Sequence, residues 1–182
     1  MRALRLLRIF IPLLLIAAVV AGIVVVMTSR SELKQSHQQV EDTWTPLQAK
    51  LDTRYDKLGL ARNAVATVPG PVKQVAAEVT SALDNWNRHS GSVSSQVANA
   101  NNLESLGRRL VVVSRAAPRL VGQTLALTAV NNFATLKPPT EAVAFDDAVT
   151  HFESERHRPA RTLAARILGY GEIPTYYSTA PF

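Results

Sequence analysis

The sequence predicts an all-α protein: an N-terminal transmembrane helix followed by an antiparallel bundle of long helices. Three observations carry this expectation. A long apolar run fills residues 9–27. Apolar residues then recur at alternating spacings of three and four along several segments. No segment alternates apolar and polar residues as a half-buried strand would.

The run from Ile9 to Met27 is interrupted only by Pro12 and Gly22. As a helix it measures about 28 Å, close to the ~30 Å hydrocarbon core of a bilayer. It has no polar face, which a soluble helix needs, whereas lipid accepts it because its backbone bonds are internal. Pro12 lies in the first turns, where its missing N–H matters least. A cleaved signal peptide is the alternative, with Val19 and Ala21 imitating a small-x-small site. The run continues past that point through Ile23 to Met27, which favours an uncleaved anchor. Arg2, Arg5 and Arg8 precede the span, while Arg30 and Lys34 after it are diluted by Glu32. The positive-inside bias therefore predicts a cytoplasmic N-terminus (residues 1–8) and an extracytoplasmic C-terminal domain at the cell membrane. The reverse orientation stays open, because the charge difference is small.

The net charge of +6 is partly this topology signal: without those three arginines, 17 Lys and Arg stand against 14 Asp and Glu. A nucleic-acid partner would call for a larger, clustered excess. The absence of cysteine removes disulfides, thiol chemistry and cysteine-zinc sites.

From Ser31, Leu33, Val40, Trp44, Leu47, Leu51 and Leu58 form a heptad-like stripe, with His37 filling one gap and Arg54 and Tyr55 another. Such a stripe is stable only when buried against partner helices. Pro46 conflicts with the helix, costing about 3 kcal/mol in an interior. The stripe keeps its phase across it, so a bent helix is expected; a fresh start capped by Thr45 is the alternative. Pro69-Gly-Pro71 predicts a turn, then a helix over about 72–88 with Val72, Val75, Ala76, Val79, Leu83 and Trp86 on one side. After Ser90-Gly-Ser92 a third helix carries Val93, Val97, Leu103, Leu106, Leu110 and Val113, with a polar weak point at Asn99–Asn102. Pro118 ends or bends it. A shorter helix is expected over 121–133, then a stiff Lys137-Pro-Pro139 linker and Thr140 as an N-cap. The last long helix spans about 141–157, with Val143, Phe145, Ala148, Val149 and Phe152 inward. Pro159 opens and Gly169 caps a closing helix whose apolar side is Leu163, Ile167 and Leu168. The tail, residues 171–182, has no period.

Three segments resemble the LemA family. Val40-Glu-Asp-Thr-Trp44 leading to Arg54, Asp56 and Leu58 is similar to its opening helix and Arg-Arg-x-Asp-Leu signature. Leu106-Gly-Arg-Arg-Leu110-Val-Val-Val113, with Ala117-Pro118-Arg-Leu120, is similar to its leucine-valine run ending in Tyr-Pro-Asp-Leu. Phe145-Asp-Asp-Ala-Val149-Thr-His-Phe152-Glu153, then Pro159 and Gly169, resembles its Tyr-Asn pattern, with phenylalanines in place of the tyrosines. The resemblance covers most of residues 31–170. It implies a membrane-anchored bundle in a bacterial envelope, and no chemistry.

Catalytic motifs are absent: no Gly-x-Ser-x-Gly, phosphate loop or His-Glu-x-x-His occurs, and Ser31-x-x-Lys34 lacks its companion motifs. Asp147, His151 and Glu155 share a helix face but lack a further fixed metal ligand, so a solvated polar face is expected. Asp146 and Glu153 read as half-exposed carboxylates paired with arginine. Trp44 and Trp86 read as core anchors. Two arginine groups remain: Arg108, Arg109, Arg115 and Arg119, and Arg156, Arg158, Arg161 and Arg166. They could meet anionic lipid headgroups or acidic polymers, or form a solvated face neutralised by Glu104, Glu153 and Glu155. The expected function is that of a scaffold or adaptor, with no catalysis and no cofactor. The expected partners are the bilayer, through residues 9–27, and an envelope protein or a second copy. Binding of anionic surfaces is the alternative.

Overall fold

The computed structural model describes residues 2–88 and 90–176, with the side chains of 2–26 and of Ala160 outside the description. The expected anchor at 9–27 therefore lies, apart from Met27, outside the described side chains, as do Arg2, Arg5, Arg8 and His89 and the tail beyond Tyr176. Among the described residues, no helix is long and apolar enough to cross a membrane.

Six α-helices follow in order: α1 (Arg2–Val65), α2 (Pro71–Asn87), α3 (Val93–Ala116), α4 (Thr124–Ala134), α5 (Glu141–Arg156) and α6 (Pro159–Leu168). A 3-10 turn, Pro118–Leu120, joins α3 to α4. No strand occurs among the described residues. The chain divides into two compact units, Met1–Gln39 with His151–Gly171, and Val40–Thr150 with Glu172–Phe182.

In the larger unit, α1 runs unbroken through Pro46. The Thr45 hydroxyl donates to the Glu41 carbonyl inside the helix, 3.3 Å away, so Thr45 does not cap a new one. Trp44, Leu47, Leu51, Tyr55 and Leu58 are buried, as the stripe requires. Helix α2 buries Val72, Val75, Ala76, Val79, Ala82, Leu83 and Trp86, and lies along α3. Each valine or leucine so withdrawn from water contributes about 1.5–3 kcal/mol. The indoles sit in the core: the Trp44 ring meets Phe145 at 5.2 Å and the Trp86 ring meets Tyr55 edge-on at 4.9 Å. Trp44 Nε1 donates to Gln96 and Trp86 Nε1 to Asp52, so both polar tips are satisfied.

Helix α3 begins where the Ser92 side chain accepts the Ser95 N–H. Its inward face is Val97, Ala100, Leu103, Glu104, Gly107, Leu110, Val111 and Ser114. Val93, Leu106 and Val113, expected inward, are only half-buried. The face is rotated because its small residues let neighbours approach: a Cβ on Gly107 would stand 2.7 Å from the Phe133 ring. Helix α3 is continuous through Asn99–Asn102, and the Asn101 amide donates to the Thr175 carbonyl. Helix α4 starts at Thr124 rather than Val121, since Gly122 at φ 91° turns the corner before it.

Helix α5 buries Ala142, Phe145, Ala148, Val149 and Phe152, but Val143 is 67% exposed and leaves the expected stripe. It sits two residues from Phe145, about 200° round the helix and so on the opposite side. The Thr140 hydroxyl donates to the Glu141 carboxylate at 3.2 Å instead of capping a backbone N–H. Residues Glu172–Tyr176 form an extended strap on the larger unit, with Ile173 and Tyr176 buried. The Ser94 hydroxyl and Asn101 amide donate to strap carbonyls, and Asp146 accepts the Tyr176 N–H at 2.7 Å.

In the smaller unit, Leu33 and Ser36 of α1, Phe152 of α5 and Ala164 and Ala165 of α6 are buried. His37 stacks on Tyr170 at 4.1 Å and meets Phe152 edge-on. Pro159 occupies the first turn of α6, and Gly169 closes it at φ 70°, as the sequence predicts. Leu163 and Ile167 are exposed, so the small alanines make the inward side of α6 instead.

Candidate functional site

The charged residue most deeply placed in the larger unit is Glu104, which is fully buried on α3. Arg54 of α1 grips its carboxylate with two hydrogen bonds, Nε to Oε1 at 2.7 Å and Nη2 to Oε2 at 2.9 Å. The third arm of the guanidinium, Nη1, donates to the Leu136 carbonyl at 3.0 Å. Its flat face lies 5.1 Å from the Phe133 ring centre. From the strap, the Tyr176 hydroxyl donates to Glu104 Oε1 at 2.8 Å. Beside it the Tyr55 hydroxyl donates to the Ala100 carbonyl at 3.1 Å.

The electrostatics follow from this geometry. Burial opposes the charge on Arg54, but the hydrogen bond and charge of Glu104 outweigh it, and the guanidinium pKa rises. Burial, then the neighbouring Glu104 charge, pushes the Tyr176 phenol far above its ordinary range. Tyr55 is raised well above its own for the same first cause, with Tyr176 and Glu104 adding to it. Both phenols stay protonated donors at neutral pH. Every polar atom named here is spent on another, so the centre ties α1, α3, the α4 exit and the strap together and offers no nucleophile or base. Glu104 is therefore not a surface counter-charge for the arginines, as expected from sequence; it faces inward and pairs with Arg54. Its position carried a signal: Val97, Glu104 and Val111 are seven apart, and Arg54 falls between Leu51 and Leu58 on the α1 stripe. A cation and an anion on two apolar stripes mark a buried pair. Tyr176 carried no such signal, because the tail has no period.

Phe145, Val149 and Phe152 are buried in α5, Pro118 opens the 3-10 turn, and Asp56 is exposed. Asp146 is half-buried; burial raises its pKa and the Tyr176 N–H partly opposes the rise.

The two arginine groups differ. In the smaller unit Arg156 pairs with Glu153 at 2.7 Å, Arg158 with Glu155 at 2.8 Å, and Arg161 with Glu155 and Glu32. Arg166 is exposed. Glu155 is thus committed to arginine rather than to His151 and Asp147, and no metal-ligating cluster occurs among the described residues. In the larger unit Arg109 pairs with Glu78 at 2.7 Å. Arg115 meets only a neutral acceptor, Asn131 Oδ1, at 3.0 Å. Arg108 and Arg119 are exposed. Beside Arg119 opens an apolar cleft of about 430 Å³, lined by Val68, Pro69, Pro71, Val72, Val113 and Ala116 among others. Val121 and Leu125, just beyond, are 80% and 89% exposed.

Fold and centre together define an all-helical bundle whose core charges neutralise one another. No family model, curated protein or solved structure matches the chain, so the resemblance to LemA rests on the quoted residues.

Proposed function

We propose that the chain is a tethered interaction module of a bacterial envelope. Residues 9–27 hold it in the bilayer, and a helical bundle of LemA-like kinship serves as scaffold or adaptor without catalysing a reaction. The observation that carries this reading is the division of its charges. Arg54 and Glu104 are consumed in the core, whereas Arg108, Arg115 and Arg119 remain outward without a carboxylate partner in the described structure. Groups arranged so suit recognition more than chemistry. Full-length protein crosslinked in intact cells and purified in detergent should retain a protein partner at high salt. A chain recovered alone, with a tightly bound metal found by elemental analysis, would instead favour an enzyme.

The second reading is binding to anionic surfaces through the α3 arginines. It is favoured by Arg108, Arg115 and Arg119, which have no carboxylate partner in the described structure, unlike the arginines of the smaller unit, which are mostly paired. Such binding weakens with salt.

A further inference from the structure

The cleft lies at one end of the larger unit, where the α1–α2 turn meets the α3–α4 corner. The sequence feeding that end is one-signed. Between Lys57 and Ala77, and between Ser105 and Thr140, eight lysines and arginines occur and no aspartate or glutamate. Among the described residues Glu78, just outside these stretches, pairs with one of them, Arg109. The same end carries bare aliphatic side chains: Val112 on α3, Val121 on the corner and Leu125 in the first turn of α4. Exposed valine and leucine close along the chain to Arg115 and Arg119 suit a surface that is apolar within and anionic at its rim.

We propose that this end is a wedge for an anionic lipid bilayer: Val121 and Leu125 enter the acyl region while Lys73, Arg108, Arg115 and Arg119 lie at the phosphate level. The proposal rests on the second reading above and adds insertion and a lipid partner to it. Charge complementarity selects the occupant, because each cation near an anionic leaflet gains about 1 kcal/mol. Arginine stems reach along apolar surface while their heads stay at the interface. A protein partner is favoured less, since interface anchors are typically aromatic or arginine in pockets. The one aromatic residue of these stretches, Phe133, is wholly buried.

The test uses the full chain, reconstituted through residues 9–27 into phosphatidylcholine nanodiscs. Vesicles of phosphatidylcholine with or without phosphatidylglycerol are then added. Because the chain has no cysteine, Leu125→Cys carries one environment-sensitive fluorophore, and Asn87→Cys, at the other end of α2, serves as control. Expected is capture of phosphatidylglycerol vesicles with a blue shift at position 125 only, and quenching there by lipids brominated on their acyl chains. Replacing Arg108, Arg115 and Arg119 with glutamate removes three attractions and adds three repulsions, and should lower capture by more than about a hundredfold. In the labelled protein Val121→Asp should weaken quenching at position 125, and in the unlabelled protein Val121→Asp with Leu125→Asp should abolish most capture. Both residues are exposed, and an acid at the start of α4 favours the helix dipole, so the fold should survive, as circular dichroism checks. Capture that needs the arginines but ignores both aspartates overturns the wedge and leaves the second reading standing. Equal binding to polyglutamate without lipid quenching also overturns the wedge. No capture of either vesicle and no quenching in the nanodisc, with phosphatidylglycerol present or absent, overturns both.

Discussion

Removing one side of a buried ion pair leaves the other charge stranded, and this decides what Glu104 does for the fold. Glu104→Ala should destabilise the protein by about 3–5 kcal/mol, read as a lower urea midpoint, because Arg54 then lies buried with neutral carbonyls, those of Leu136 and Lys137, and no counter-charge. Replacing both partners with apolar residues of similar volume, Arg54→Met with Glu104→Leu, should recover most of that loss. A double variant no better than the single one would show that the pair contributes more than mutual neutralisation. Asp146 gives a pH signature. Its carboxyl is raised by burial, so the folded state holds the proton longer than the unfolded chain does. That contribution is complete below the ordinary aspartate value of about 3.9 and is lost as pH rises through the raised folded value. Asp146→Asn keeps an acceptor for the Tyr176 N–H and has no proton to lose. The stability of the wild type relative to this variant should therefore fall across the mildly acidic range; parallel curves would refute the desolvation argument.

At the scale of elements, α4 approaches α3 closely at Gly107. Gly107→Ala places a methyl 2.7 Å from the Phe133 ring, and α4 must move away. The expected cost is about 1–3 kcal/mol, with faster hydrogen exchange in Thr124–Ala134 than elsewhere. Pro46 tests the opposite sign. It lies exposed inside α1 and leaves the Asp42 carbonyl without its helical donor. Pro46→Ala should raise the melting temperature, by up to about 3 kcal/mol of stability, unless the backbone there is fixed in a bend by its neighbours. The strap is an element too: it has no helix or strand of its own and is held by Ile173, Tyr176 and hydrogen bonds to α3 and α5.

For the whole molecule the governing expectation is topological. A cytoplasmic N-terminus ahead of residues 9–27 puts Phe182 on the far side of the membrane. A reporter active only outside the cytoplasm, fused after Phe182, should be active, and one active only inside should be silent. The reverse pattern would overturn the orientation and move every proposed surface contact to the other leaflet.

Hydrophobic periodicity alone settled the all-helical class and most helix boundaries, because burial of a stripe is a local pattern repeated along the chain. Leu33 to Leu58 and Val72 to Trp86 were legible for that reason. So were Pro159 and Gly169, whose backbone preferences act within a single turn. Tertiary structure alone decided which charges are hidden. Arg54 and Glu104 are 50 positions apart, and their pairing depends on two helices meeting at one level. It also separated the spent arginines of the smaller unit from the outward ones on α3, since an ion pair is fixed by distance in space. Likewise Val143, Leu163 and Ile167 are apolar in sequence yet exposed, because which side of a helix is covered depends on the neighbours that reach it.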